Sequence, residues 1–216
     1  SYAQGSYDFR FSDNRDGTAH QSTSDTGELY AALRSATKYM LELLPPLKRK
    51  IVIGVSGGVD SATSLAHFVD VAGRENVIAV NMPFLYSDLR IQSLAERVAQ
   101  NLGVRYESRP ITKIVEAIVK QTGVKPGTLA YENIQARSRM EILAAMAQEI
   151  GGVFPCNANK VEIAFGYGTL YGDIAGFYAP CGDLVKREVR QVADHMNRVV
   201  FGQEVIPYEC INQVPT

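Results

Sequence analysis

The chain has 216 residues, of which 46% are hydrophobic and 21% are charged, and its net charge is −1. The length suggests one domain with additions or two small domains, and folding at this size hides roughly 70% of the unfolded surface, which is enough for a hydrophobic core. The balanced charge argues against broad capture of nucleic acid or of an anionic membrane, and no apolar run reaches the roughly 20 residues that cross a bilayer.

Helices and strands are predicted to alternate after a polar start. Residues 1–24 lack hydrophobic periodicity, which predicts a tail or the remnant of a linker. A helix is expected from near Asp25, with Glu28 as its capping partner, up to Pro45. Strands are predicted at 51–55, 77–80, 104–108 and 152–155, and helices at about 60–71, 87–102, 112–121, 132–150 and 186–198. This alternation predicts an α/β fold, a doubly wound parallel sheet with helices on both faces.

The three cysteines, Cys156, Cys181 and Cys210, are odd in number and far apart in the sequence. This usage favours a reducing compartment over a disulfide framework or a zinc site. The N-terminus has no signal-peptide h-region, so we expect a soluble cytoplasmic protein.

A glycine-rich loop, residues 56–61 (SGGVDS), lies between the first predicted strand and the next helix. Two glycines allow a sharp turn that exposes successive N–H groups, and the helix N-terminus attracts anions, so the loop is suited to phosphate. It lacks the Lys-Ser/Thr of a Walker A loop and the third glycine of the dinucleotide fingerprint. Asp60 would repel a bare phosphate, which predicts a divalent cation between them. Two glycines alone would equally fit a plain strand-to-helix turn.

Arginines and a second acidic residue provide further candidates. In residues 132–140 (ENIQARSRM), Arg137 and Arg139 suit phosphate or carboxylate, unless they lie on a solvated helix face. Residues 157–162 (NANKVE) follow a strand end, where open parallel sheets bind ligands. Glu162 in this block could share a metal with Asp60, although taken alone it fits the surface of a helix.

Two later segments complete the set of candidates. Residues 166–173 (GYGTLYGD) are too rich in glycine for a helix or strand and too aromatic for a disordered linker. They predict an ordered binding loop, and a structural cluster of turns is the alternative. Lys186 begins the last predicted helix, where its charge opposes the helix macrodipole unless an anion lies nearby.

Together these blocks resemble the NAD synthetase family. The SGGxDS loop is shared with other ATP pyrophosphatases, such as GMP synthetase and asparagine synthetase, which cut ATP between its α- and β-phosphates. NAD synthetases add the ENxQARxR, NKxE, GYxTxYGD and Pro-x-x-Asp-Leu-x-Lys motifs, which this chain carries in the same order. The resemblance runs from about residue 28 to the last residue, and residues 25–216 are expected to be a synthetase domain that is incomplete at its C-terminus.

The resemblance implies an enzyme that amidates deamido-NAD to NAD through an acyl-adenylate, with release of AMP and pyrophosphate, as the final step of NAD biosynthesis. The implied cofactor is Mg²⁺, the co-substrate is ATP, and the implied assembly is a homodimer with the long helix near its interface. The nitrogen is expected to come from free ammonia or from a glutamine amidase domain of a larger protein. A GMP synthetase core and a non-catalytic adenine-nucleotide-binding fragment are the alternatives.

The resemblance also implies roles for individual residues. Asp60 and Lys186 are implied to be catalytic, and Asp60 and Glu162 to bind Mg²⁺. Contacts to ATP are implied for Gly54, Val55, Ser56, Gly57, Gly58, Val59, Asp60, Ser61, Asn157, Lys186 and Thr216. Contacts to deamido-NAD are implied for Asn133, Arg137, Leu170, Asp173 and Phe177. Leu170 and Phe177 depart from the pattern, since some ammonia-dependent members have Lys and Asp there.

Overall fold

The computed structural model describes residues 26–85 and 89–212. The predicted tail at 1–24, the predicted helix start at Asp25 and the predicted ATP contact at Thr216 lie outside the described residues.

Three parallel strands form the sheet: β1 (Ile51–Gly54), β2 (Val77–Asn81) and β3 (Arg105–Ser108), in the order β1-β2-β3. Val153 adds an isolated parallel bridge to Ile51 on the other side of β1. The strand order therefore reverses direction beside β1, as in a doubly wound sheet.

The predicted strand at 152–155 is reduced to this bridge, so that prediction was too long. Val52 N donates to Val153 O at 2.9 Å, and Val153 N donates to Lys50 O at 2.9 Å. Pro155 has no N–H to continue the pairing. The next amide, that of Cys156, donates to Tyr178 O instead, which takes the chain away from β1.

Helices cover both faces of the sheet, which confirms the predicted fold class. Val59–Ala72 (α2), Leu89–Leu102 (α3) and Lys186–His195 (α7) pack on one face together with the first helix, and Thr112–Thr122 (α4) and Leu129–Glu149 (α5) pack on the other. The remaining α-helices of the described residues are α1 (Thr26–Glu42), α6 (Lys160–Phe165) and α8 (Tyr208–Ile211).

The helix boundaries differ from the predicted ones for local reasons. Helix α5 begins three residues before the predicted start because the Thr128 side chain accepts a hydrogen bond from Tyr131 N and caps the helix. Helix α7 ends at His195 and continues as a π-helix, Met196–Val200, which begins inside the predicted helix at 186–198 and extends two residues beyond its end.

Alternate residues of β1 face opposite cores. Ile51 and Ile53 pack with α1, α2, α3 and α7, whereas Val52 packs against the other face with α4 and α5. Side chains of all three are fully buried, as expected for a strand that is covered on both faces.

A buried histidine connects the first two helices and makes stability depend on pH. The Nε2 atom of His67 lies 2.7 Å from Thr37 Oγ1 of α1, and burial lowers the pKa of His67 from 6.5 to about 4. Nearby Asp70 raises this pKa and Arg34 lowers it, but burial dominates. The folded state favours the neutral ring, so the unfolded chain binds a proton at a higher pH than the folded protein does. Stability is therefore lost as pH falls from 6.5 towards 4.

When the pH is lowered from 7 to 4.5, we expect the free energy of unfolding of wild type to fall by about 2 kcal/mol more than that of His67→Gln. Glutamine can keep a hydrogen bond to Thr37 and does not titrate. Urea unfolding of both proteins across this range is the measurement. Parallel pH curves for the two proteins would show that His67 does not carry the effect.

Candidate active site

A cleft of about 550 Å³ opens at the carboxyl ends of the strands. Its walls come from the residues that follow β1, β2 and Val153, and from one side of α5. The cleft therefore lies where the strand order reverses, which is the usual ligand site of an open parallel sheet.

The SGGVDS loop forms one end of the cleft. Gly57 has a φ of 89°, a conformation that residues with a Cβ rarely adopt, and Gly58 caps α2. Ser56 N donates to Ser61 Oγ at 3.2 Å, and Ser61 Oγ donates to Gly58 O at 3.1 Å, so the hydroxyl of Ser61 closes the turn. Of the residues predicted to hold ATP, the cleft is lined by Gly54, Val55, Ser56, Gly58, Asp60, Ser61 and Asn157.

Gly57, Val59 and Lys186 are not among the residues that line the cleft. Gly57 and Val59 are buried, and the Val59 side chain belongs to the hydrophobic core under the loop. Their structural contribution is to fix the turn and to attach the start of α2 to the sheet.

One asparagine connects Asp60 and Glu162, and Lys186 joins them through Asp60. Lys186 Nζ donates to Asp60 Oδ2, and Asn159 Nδ2 donates to Asp60 Oδ1 at 3.3 Å. The amide of Asn159 donates to Glu162 Oε2 at 3.0 Å, while its Oδ1 accepts from Val161 N and Glu162 N. Asn159 therefore caps α6 and connects both carboxylates, and it is only 2% exposed.

The two carboxylates fit a magnesium ion that also binds phosphate. Asp60 and Glu162 line the same cleft, and the pKa of Glu162 is raised, first by burial and also by the charge of Asp60. A divalent cation between them would relieve both effects. The described residues contain no group of three His, Cys, Asp or Glu side chains placed to hold a metal. Two carboxylates are the usual protein share of a Mg²⁺ shell that phosphates and water complete.

The charge of Glu162 is separable from its role in capping. Glu162→Gln keeps an oxygen that accepts from Asn159 N, so we expect its melting temperature to be unchanged or slightly higher. Because the variant loses the negative charge, we expect it to bind Mg²⁺ at least tenfold more weakly, of the order of 1.4 kcal/mol. Glu162→Ala loses the cap as well and is expected to cost about 1 kcal/mol of stability. Magnesium titration and thermal unfolding of both variants measure these effects. Mg²⁺ binding by the glutamine variant that equals that of wild type would contradict a role for Glu162 as a magnesium ligand.

Asn157 lines the cleft, and one atom of its side chain is an acceptor without a partner in the described residues. Its Nδ2 donates to Gly54 O at 2.8 Å, which fixes the side chain against the end of β1. Within the described residues, its buried Oδ1 has no hydrogen-bond partner. A buried acceptor of this kind is normally satisfied, so a donor group of a ligand would complete it.

The loop at 166–174 lies directly on α5. Thr169 Oγ1 donates to Asn133 Oδ1 at 2.7 Å, and Arg137 Nε donates to Leu170 O at 3.2 Å. Gly172 is required for this close packing, because a Cβ there would lie 2.9 Å from Ala136 Cβ. The segment is therefore ordered by contacts to the helix.

Of the five residues predicted to contact deamido-NAD, Asp173 lines the cleft. Asn133 and Arg137 hold the loop through the hydrogen bonds just described, and the side chain of Leu170 is 65% exposed. Phe177 packs with the core, with its ring centroid 6.3 Å from that of Phe68. The structure thus separates these five into one residue in the cleft, two that support the loop, one at the surface and one on the core.

One residue of the site, Asn159, was not assigned from the sequence, and another, Arg139, was a candidate for phosphate or carboxylate without a specific role. Asn159 had a detectable signal, because Asn followed three residues later by Glu is a capping box. Arg139 lines the cleft, whereas Arg137, the arginine that was assigned, is exposed and does not.

The sheet, the loop and the position of the cleft are those of a Rossmann-like α/β protein with the PP-loop fold. The NAD synthase family model matches residues 38–216. The glutamine-dependent NAD(+) synthetase of Xanthomonas campestris pv. campestris (strain 8004) is 40% identical over 173 residues, which cover 78% of this chain and 31% of that protein. The NH(3)-dependent NAD(+) synthetase of Pelodictyon phaeoclathratiforme (strain DSM 5477 / BU-1) is 38% identical over 146 residues, or 68% of this chain and 52% of that protein.

The same similarity appears in three dimensions. The structure of the glutamine-dependent NAD+ synthetase from Acinetobacter baumannii in complex with adenosine diphosphate matches with a TM-score of 0.80 at 31% identity, covering 88% of this chain and 36% of that chain. The chain belongs to the NAD synthase family, which confirms the resemblance seen in its motifs. It spans about a third of the length of the glutamine-dependent relative and about half of the ammonia-dependent one.

Proposed function

We propose that this chain catalyses the ATP-dependent amidation of deamido-NAD to NAD through an acyl-adenylate, with release of AMP and pyrophosphate. The observation that carries the proposal is the cluster of Asp60, Lys186, Asn159 and Glu162 beside the SGGVDS loop, whose two carboxylates line the cleft where the strand order reverses. Names of relatives that include both ammonia-dependent and glutamine-dependent NAD(+) synthetases support the same reaction.

In this proposal the loop and the start of α2 hold the triphosphate of ATP through backbone N–H groups and hydroxyls. Lys186 provides the positive charge beside the α-phosphate when the carboxylate of deamido-NAD attacks the α-phosphorus and pyrophosphate leaves. Asp60 and Glu162 would hold Mg²⁺, which neutralises phosphate charge when it is bound. The attacking carboxylate is already ionised at neutral pH, so the first step needs no general base.

The second substrate is proposed to occupy the part of the cleft beside Asp173 and α5. Met140, Leu143 and Phe154 give this part an apolar wall, which suits the flat face of a base or of the nicotinate ring. Ammonia, either free or released from glutamine, would then attack the activated carbonyl and displace AMP.

A homodimer that uses α5 is part of the same proposal. Apolar residues of this helix outside the cleft lining are only half-buried, as at Ile142 and Ala144, and Leu129 at its start is 73% exposed. Sedimentation velocity would measure the association, and Leu129→Glu is expected to weaken it.

We place the reaction in the cytoplasm, consistent with the reducing environment that its cysteines favour. All three cysteines are buried and free. None of the helices within the described residues is long and apolar enough to cross a membrane.

The test is to incubate the chain with ATP, Mg²⁺, deamido-NAD and ammonium, and to measure NAD, AMP and pyrophosphate. We expect the three products in equal amounts, with no AMP when xanthosine monophosphate replaces deamido-NAD. A parallel reaction with glutamine in place of ammonium identifies the nitrogen source. AMP release with xanthosine monophosphate would favour a GMP synthetase core, and ATP binding without turnover would favour a nucleotide-binding fragment.

A further inference from the structure

The cleft contains an arginine whose charge is not neutralised by an ion pair. Arg139 lies on α5 and lines the cleft, and within the residues that the structure describes it forms no salt bridge. Lys186 differs from it, because its charge is paired with Asp60. Arg139 is therefore the charged residue that α5 itself contributes to the cleft lining, and its charge is positive.

The guanidinium of Arg139 is held in a fixed position. Its Nε donates to Met82 O at 3.1 Å, and Met82 directly follows β2 at the carboxyl edge of the sheet. This contact uses one of the five N–H groups and orients the plane of the side chain, so the remaining donors are available in a defined geometry. A planar fork of this kind matches the oxygens of a phosphate.

The surroundings of Arg139 make an anion favourable there. Burial lowers its pKa, and Asp173 is the charge that opposes this effect. Asp173 already accepts a hydrogen bond from Thr169 N at 2.8 Å. Ala136 and Leu143, three residues before and four residues after Arg139, line the cleft on the same side of the helix and reduce its access to water. An arginine that is partly desolvated and has no ion pair gains most from an incoming anion.

We infer that Arg139 is an oxyanion-binding residue of the cleft that holds a phosphate group of a nucleotide substrate on the α5 wall. The inference rests on the proposed function for the identity of the nucleotides, which are ATP and deamido-NAD. Both carry phosphates, and the test below distinguishes them. Arg137, two residues away, faces a different direction and supports the loop at 166–174 through Leu170 O.

The test compares Arg139→Gln and Arg139→Lys in the whole chain, with Arg109→Gln as the matched control. Arg109 is exposed and pairs with Glu107 outside the cleft. Dissociation constants are measured by calorimetry for ATP with Mg²⁺, for deamido-NAD and for inorganic pyrophosphate. We expect Arg139→Gln to weaken at least one of these by tenfold or more, roughly 1.4 kcal/mol, with Arg139→Lys in between because it keeps the charge without the fork. The nucleotide that is weakened identifies the source of the phosphate.

Dissociation constants within about twofold of the control for all three probes would overturn the inference. The inference would also be overturned if Arg139→Gln bound the probes more weakly, had a lower melting temperature and was matched by Arg139→Lys. In that case a structural role of Arg139 would explain the weaker binding. If Arg139→Gln does not fold, Arg139→Lys against wild type decides the question with the same probes. Pyrophosphate binding separates this inference from the proposed function: its loss in Arg139→Gln supports the inference even if the chain makes no NAD.

Discussion

Replacing Lys186 by methionine is expected to lower kcat for NAD formation by about 100- to 1000-fold. Methionine keeps the length of the apolar stem and removes the ammonium group that donates to Asp60. Two effects follow: the α-phosphate loses its cationic partner as charge develops, and Asp60 is left with an unbalanced negative charge in the cleft. Steady-state assays with saturating ATP and deamido-NAD measure the change.

Lys160→Met is the matched control, because Lys160 is exposed at the start of α6 and, unlike Lys186, is not the partner of Asp60. It is expected to keep the kcat of wild type within about twofold. The Lys186–Asp60 pair is partly exposed, so the melting temperature of Lys186→Met should change little. A kcat near that of wild type in Lys186→Met would remove Lys186 from the catalytic role.

Replacing Asp60 by asparagine is expected to raise the Mg²⁺ concentration for half-maximal activity by at least tenfold, roughly 1.4 kcal/mol, and to lower kcat by about 100-fold or more. The side chains have nearly the same shape, so Asn can still accept a hydrogen bond from Asn159 or Lys186 while it loses the charge that binds the cation. The measurement is the rate of NAD formation as a function of Mg²⁺ concentration.

Asp194→Asn is the control for this change, since Asp194 pairs with Arg198 outside the cleft lining. Its magnesium dependence should equal that of wild type. Because Asp60 and Lys186 are in contact, the double variant should lose less than the product of the two single losses. A magnesium dependence in Asp60→Asn identical to that of wild type would show that Asp60 is not a ligand.

The features that depend on local pattern could be predicted from the sequence. Apolar runs with turn signals between them indicated the strands and helices, and two glycines before Asp60 indicated the loop, because backbone conformation there is set by the residues themselves. The strand predicted at 152–155 was too long, although its prediction rested on the same local pattern. Its apolar residues suited a strand, but the pairing depended on Pro155 and on the competing acceptor of Tyr178, which is 22 residues later.

The assignment of individual site residues depended on packing that no local pattern records. Arg137 and Arg139 are two residues apart on a helix, so their side chains point roughly 200° apart and one cleft cannot receive both in the same way. Which of the two arginines lines the cleft depends on the face of α5 that packs on the sheet. The position of Phe177 could not be predicted either. The segment around it is irregular, so no hydrophobic periodicity indicates whether its side chain faces the core or the cleft.

The single bridge at Val153 has a consequence for how the cleft responds to its ligands. In the described residues, backbone pairing joins the segment that carries Asn157, Asn159 and Glu162 to the sheet only at Val153, and the side chains of Asn157 and Asn159 add hydrogen bonds to Gly54 O and to Asp60. A nucleotide bound across the cleft would add contacts between these two parts of the chain that the strand ladder does not supply. Substrate occupancy and the conformational stability of the 154–185 segment are therefore thermodynamically linked, and saturating ligand protects this half of the cleft from local opening.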